Sequence, residues 1–447
     1  MKRKPDLTHG NMKCHIIRLA IPLILGNILQ QTYNTIDAFV IGRYASELEF
    51  SSVGVASSIM NLMIFAIVGA CTGISIIFSE LYGAKQINKF RTEHFLVLTL
   101  GIISTLCISV LAVLLLMPIL HLTQTPPEIM DYTVRYLRIV LIGLPFVFLY
   151  NLYNSLLRAT GNTSMSLYIL LVSVVMNLGL DLYMVGTLHM GIAGAAWATI
   201  CSQAVSAVFS VLLFYIMLPD LRCYKDDCRW DKSLIQKTLH FSIVTSIHQT
   251  SLYIGKLMVQ SAVNATGTEM IAAYTAATRI EGYANSFGDS GAAATSVIIA
   301  QNHGAGKKDR VRKGFWDSFI LLLSLGIICS IILYLVSPNA VTMILGHAYG
   351  SSYQNAVSYL RIIAFFYTFC FIGNTFAGYL DGIEKVSIPF IGAAGHIALR
   401  VVLSWIFIQD YQLPAVAFAT GIGWVSVNVF WSIYQFAFCH KKESCRI

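Results

Sequence analysis

Apolar stretches of membrane-spanning length recur about twelve times along the chain. They fall near 15–41, 51–78, 94–119, 132–158, 166–186, 191–217, 238–262, 270–299, 314–336, 355–381, 386–408 and 412–438. About twenty such residues cross hydrocarbon as a helix. Most are apolar all round, which is the pattern of helices with lipid on one side and a bundle on the other. The predicted fold is an all-α polytopic membrane protein.

Polar interruptions order these helices. The longest runs from Pro219 to Lys237 and falls at the midpoint of the chain. It reads as a linker (219–237) between an N-terminal lobe of six helices (1–218) and a C-terminal lobe of six (238–447). An internal repeat supports that division. Tyr136-Leu137-Arg138-Ile139 recurs as Tyr359-Leu360-Arg361-Ile362, Asn151 meets Asn374, and Gly83-Ala84 meets Gly304-Ala305. Lobes with even helix counts share one orientation, so a pseudo-two-fold along the membrane normal is expected, with the substrate path between the lobes.

Charge sets the topology. With both termini inside, the inner segments hold 23 of the 30 lysines and arginines, the outer segments hold Arg43, and six lie within spans. That bias is the positive-inside signature. The net charge of +8 is therefore a topology signal, and nucleic-acid binding is not expected. Charged residues make up 12% of the chain, about half the share of a soluble domain. The ten cysteines fall in spans or inner segments, so no structural disulfide is expected. The first apolar segment is too long for a cleavable signal peptide and lacks a small-residue cleavage site. No nucleotide-binding loop, nucleophile constellation or metal motif appears, which argues against an enzyme or an ATP-driven pump.

The polar residues inside the spans are the candidates for chemistry. Gln30, Tyr33, Asn34 and Asp37 share one face of the first span. A carboxylate in hydrocarbon costs roughly 2.5–3.5 kcal/mol even on a lenient insertion scale, so such groups usually face a wet cavity. Asn177 and Asp181 are one turn apart on span 5, and Thr199 lies on span 6. Two carboxylates, an amide and a hydroxyl offer the hard oxygens that Na⁺ accepts. Two close carboxylates also favour holding a proton. Asn151 and Asn154 on span 4 face one cavity, and Arg158 is read as reaching the inner surface. In the second half, Lys256 sits on span 7, and Arg279, Glu281 and Asp289 sit on span 8. Arg279 with Glu281, or Lys256 with Asp289, could neutralise each other.

These residues together resemble the multidrug and toxic compound extrusion (MATE) family, in a prokaryotic branch similar to the DNA-damage-inducible type. The resemblance rests on Pro22 through Asp37 to Gly42, Gly83-Ala84, Asn154 through Arg158 to Gly161-Asn162, Asn177 with Asp181, Thr199, and Gly304-Ala305. It implies a twelve-helix, two-lobed antiporter in the cell membrane that expels cationic amphiphiles in exchange for H⁺ or Na⁺, needs no cofactor, and functions as a monomer. The coupling site would map onto Asp37, Asn177, Asp181 and Thr199, and the substrate cavity onto Gln30, Tyr33, Asn34, Asn151 and Asn154. Pro22 would mark the bend of the first helix. A second branch carries an acid on span 7 that this chain lacks. The rival reading is a flippase for a lipid-linked oligosaccharide or cell-wall precursor. Such a protein needs basic residues for pyrophosphate, and Lys256, Arg279 and Arg400 are the features that favour it.

Overall fold

The computed structural model describes residues 6–44, 46–435 and 437. Among them are thirteen α-helices, three short π- or 3-10-helical stretches and no strand. In hydrocarbon every backbone polar group must be satisfied within its own segment, and helices do this. The first half holds α1 (Met12–Tyr44), α2 (Glu47–Gly83), α3 (Ile87–Leu114), α4 (Leu116–Leu122), α5 (Pro127–Ile142), α6 (Leu144–Ala159), α7 (Thr163–Asp181) and α8 (Gly191–Met217). The second holds α9 (Lys232–Asn264), α10 (Thr268–Gly304), α11 (Lys308–Leu345), α12 (Ser351–Gly382) and α13 (Ser387–Tyr434).

Breaks in these helices have local causes. Helices α5 and α6 form one span bent by 46° at Gly143. Pro145, in the first turn of α6, has no N–H to extend α5 through the break. Helix α13 is two spans in series, because Gln412 takes φ 54°, ψ −141° and interrupts the helix just before Pro414. Helix α2 starts at a capping box: the Ser46 N–H donates to Glu49 Oε2 at 3.0 Å and the Glu49 N–H to Ser46 Oγ at 3.3 Å. The free Glu49 oxygen accepts from the Ile192 N–H at 3.1 Å, which ties α2 to the start of α8. Eight of these helices are long and apolar enough to cross a membrane, nine with the bent pair. Helices α9 and α10 are as long, but they carry more polar residues.

The chain divides into two compact units, one of Met1–Asp6 and Leu25–Ser246, the other of Leu7–Ile24 and Ile247–Ile447. Each therefore takes in part of α1 and part of α9. In the first unit α2 packs on α9 through Gly73, where an added methyl would lie 2.5 Å from Thr245 Oγ1 and 2.7 Å from the Phe241 carbonyl oxygen. Gly101 of α3 leaves room for the Phe148 ring of α6 in the same way. Such small-residue contacts let membrane helices approach closely.

In the second unit, Gly378 of α12 meets the Ala292 carbonyl of α10, and Tyr359, Tyr367 and Phe371 fill the core. The residues before α1 are tied down here as well. The Asn302 amide donates to the Leu7 carbonyl at 3.2 Å, Lys307 Nζ to the Thr8 carbonyl at 2.8 Å, and Arg310 Nη1 to the Gly10 carbonyl at 3.0 Å. Leu7, Met12, Ile16 and Leu19 bury their side chains beneath these bonds against Ala294 and Ile298.

Candidate functional site

The first unit gathers most of the polar candidates. Asn177 and Asp181 stack one turn apart at the end of α7, 2% and 1% exposed. At Asp181 the α-helix gives way to a π-helical stretch, Leu182–Thr187. Stretches of this kind occur mostly where a helix is bent to serve a site. The Tyr33 hydroxyl of α1 donates to Asn177 Oδ1. Beside it on α1, the Gln30 amide donates to Asn34 Oδ1, one turn further on, at 3.2 Å. The face of α1 read from sequence is thus hydrogen-bonded within itself and to α7. Asp37 lies on α1, but its side chain falls outside the described residues.

The other predicted residues are placed less directly. Thr199, half-buried on α8, donates to the Ala195 carbonyl at 2.9 Å, and its lone pairs remain available. Asn151 and Asn154 on α6 turn their amide N–H groups back to the Val147 and Tyr150 carbonyls at 2.8 and 3.0 Å. Buried Asn154 Oδ1 and Asn177 Nδ2 have no hydrogen-bond partner among the described residues. Leaving a buried polar atom unpaired costs about 1–3 kcal/mol, so such atoms mark places where a ligand or water completes the bonding. The oxygens of Asp181, Asn177, Asn154 and Thr199 suit either a proton or a hard monovalent cation. Among the described residues no cluster of His, Cys, Asp and Glu has the makings of a transition-metal site. Arg158 Nη2 turns back to Ser155 Oγ at 2.9 Å. Pro22 lies inside α1, two residues before the point at which the chain passes from one unit to the other.

The second unit holds a different polar cluster. Glu281 is buried, and Oε2 accepts from the Tyr359 hydroxyl at 3.0 Å. The Tyr367 hydroxyl lies 3.2 Å from the Glu281 carbonyl oxygen and 3.0 Å from Asn285 Oδ1. Arg400 Nη2 donates to the Tyr274 hydroxyl at 3.3 Å, and the rings of Tyr274 and Tyr359 meet edge to face. Glu281 is thus held by a tyrosine of α12 and lies in the field of Arg400 and Lys256. Arg279 is exposed. Asp289, one turn past Asn285, lies in the field of Lys256. The tyrosine partners were missed in the sequence, although Tyr359 heads the repeated Tyr-Leu-Arg-Ile segment.

Residues 22–184 and 242–406 each match the MatE family model, in tandem. The chain belongs to the MatE family. Relatives of this MatE protein include the Probable multidrug resistance protein YpnP of Bacillus subtilis, 26% identical over 92% of this chain and 89% of YpnP. Another is the Probable multidrug resistance protein YoeA of the same organism, 28% identical over 73% of this chain and 72% of YoeA. Among solved structures, a multidrug resistance MATE family transporter in an outward-facing conformation superposes with TM-score 0.89 at 19% identity, over 97% of both chains. A MOP superfamily transporter from Pyrococcus furiosus gives 0.88 at 20% identity, over 98% of both. The MatE protein has the two-lobed, twelve-helix MATE fold and is a multi-span membrane transporter rather than an enzyme.

Proposed function

We propose that this protein is a secondary active multidrug efflux antiporter. It exports cationic or amphiphilic organic compounds in exchange for H⁺ or Na⁺ by alternating access. The observation that carries this reading is the buried Asp181–Asn177 turn bonded to Tyr33 of α1, which links a candidate ion site to the helix that holds Pro22. The relatives named as multidrug resistance proteins support the substrate class.

In this reading Asp37 and Asp181 take up the coupling ion, with Asn177 and Thr199 as neutral oxygen ligands. Gln30, Tyr33, Asn34, Asn151 and Asn154 line the space taken by the drug. Ion binding at Asp181 alters the acceptor strength of Asn177 toward Tyr33, so α1 responds at its tyrosine and flexes at Pro22. Related MATE proteins have been solved in a bent and in a straight conformation. Exchange of one ion for one monovalent drug moves no net charge, so the chemical gradient of the ion alone would drive it. A second ion per cycle would add a voltage contribution of about 2.3 kcal/mol per 100 mV. In this reading the protein lies in the plasma membrane with both termini cytoplasmic and acts as a monomer.

The flippase reading is weaker, because Arg400 is already engaged by Tyr274 and faces the charge of Glu281. The deciding experiment is efflux of a fluorescent organic cation from vesicles, with an imposed H⁺ or Na⁺ gradient. Asp37→Asn and Asp181→Asn should abolish gradient-driven efflux while the proteins still fold. Undiminished efflux from both would overturn the assignment.

A further inference from the structure

Glu93 is fully buried in the second turn of α3, and none of the chemistry above uses it. Its neighbours on the first turns of α9 are Lys237 and Thr238. Thr238 Oγ1 lies 2.5 Å from Glu93 Oε1 and 2.8 Å from the Leu234 carbonyl oxygen. Glu93 Oε2 is buried with no hydrogen-bond partner among the described residues. A hydroxyl has one proton to give. If Glu93 were ionised, its Oε1 and the Leu234 carbonyl would compete for that proton, and Oε2 would be a buried charge with no donor. If Glu93 is the neutral acid, every contact is satisfied. Its O–H donates to Thr238, Thr238 donates to Leu234, and Oε2 is a carbonyl, the cheaper atom to leave unpaired.

The cations nearby are committed elsewhere. Lys237 Nζ sits 2.5 Å from Glu80 Oε2 of α2. Arg91, two residues before Glu93, donates to the Asp220 carbonyl at 2.6 Å and lies 3.9 Å from Asp227. His94 meets the Tyr153 hydroxyl at 3.2 Å and Cys223 Sγ at 3.3 Å. Burial opposes a charge on Glu93; the field of Lys237 still reaches it and favours the ionised form, and Asp231, before α9, adds negative charge against it.

We propose that Glu93 is a proton-binding carboxyl that bonds α3 to the first turns of α9 only while it holds its proton. When the proton leaves, Thr238 can no longer serve both acceptors, and the start of α9 loosens. The site does not depend on the transport reading and can be tested on purified protein.

The experiment combines infrared difference spectroscopy with amide hydrogen exchange across a pH series. The wild type should show a protonated-carboxyl band that disappears on raising the pH, and Glu93→Gln should lack that band. After correction for the intrinsic base-catalysed rate, protection at 234–246 in the wild type should fall by up to about tenfold per pH unit as the pH rises from the ordinary glutamic acid range to the midpoint, and should level off above it, as release of one proton requires. Glu93→Gln, whose amide N–H replaces the acid as donor to Thr238, should stay protected throughout. Thr238→Val, which keeps the carboxyl and removes its partner, should retain the band with a displaced midpoint. Identical wild-type and Glu93→Gln spectra would overturn the protonation. A wild-type titration with unchanged protection at 234–246 would overturn the link to α9.

Discussion

The Tyr33 hydroxyl of α1 donates to the side-chain oxygen of Asn177 on α7, across 144 residues of sequence. Asn177 is 2% exposed, and its amide nitrogen has no partner among the described residues. Tyr33→Phe therefore strips the last described side-chain bond from a buried amide. The expected cost is about 1–3 kcal/mol, more than the ~1 kcal/mol of an average hydrogen bond. Thermal unfolding in detergent checks this. Combining Tyr33→Phe with Asn177→Leu should destabilise less than the sum of the two, since the pair is coupled.

Two glycines of the second unit make opposite predictions. A methyl at Gly378 would lie 2.4 Å from the Ala292 carbonyl oxygen, which belongs to backbone and cannot rotate aside. Gly378→Ala should force α12 off α10 and cost about 1–3 kcal/mol. Gly395 of α13 has no atom within 4 Å of that position. Gly395→Ala should be neutral or stabilising by about 0.5–1 kcal/mol, because alanine loses less backbone freedom in a helix. The melting temperature of Gly378→Ala should fall, and that of Gly395→Ala should hold or rise.

Tyr359→Phe removes the donor to Glu281 Oε2 in a site where both residues are buried. Removing one partner of a buried hydrogen bond costs about 1–3 kcal/mol, and loss of that order is expected in chemical unfolding. If the loss comes from a stranded carboxylate, Glu281→Gln placed on the Tyr359→Phe background should restore part of it. No restoration would mean that the tyrosine acts through packing alone.

The linker thiol Cys223 lies beside His94 and donates to the Arg91 carbonyl at 3.3 Å. Burial, reinforced by the negative charge of Asp227, pushes this thiol from its ordinary 9.0 up to about 11. A folded pKa above the unfolded one gives stability that is complete below pH 9 and fades as the pH rises to 11. Melting temperature should decline through that window, and Cys223→Ala should remove this component of the decline. Below pH 9, Cys223 should also react with maleimides more slowly than the exposed Cys14.

What could be read from the sequence followed from what hydrophobicity encodes. Long apolar runs gave the helices and the fold class because a backbone in lipid has few alternatives. Helix ends were harder. The third apolar run begins near 94, whereas α3 starts at Ile87, so Glu93 stood outside the expected span. A polar residue that continues a helix into a packed layer looks, in sequence, like the start of a loop. The π-helical turn after Asp181 leaves no trace in an apolar pattern either, whereas the break at Gln412 falls where the pattern separates the runs 386–408 and 412–438. Asn177 and Asp181 could be placed on one face because they are four residues apart. Tyr33–Asn177 and Glu281–Tyr359 were not legible as pairs, since the partners lie 144 and 78 residues away.

The way α1 and α9 are divided between the two units has a consequence for synthesis. The first unit includes α9 up to Ser246, which is made only after the linker. The second requires Leu7–Ile24, made at the very beginning. A gene cut at the linker would thus yield two fragments, each lacking a helix segment encoded by the other. Neither fragment should reach its native core unless both are produced together. The tandem repeat reads as two modules, but the protein has to assemble as one.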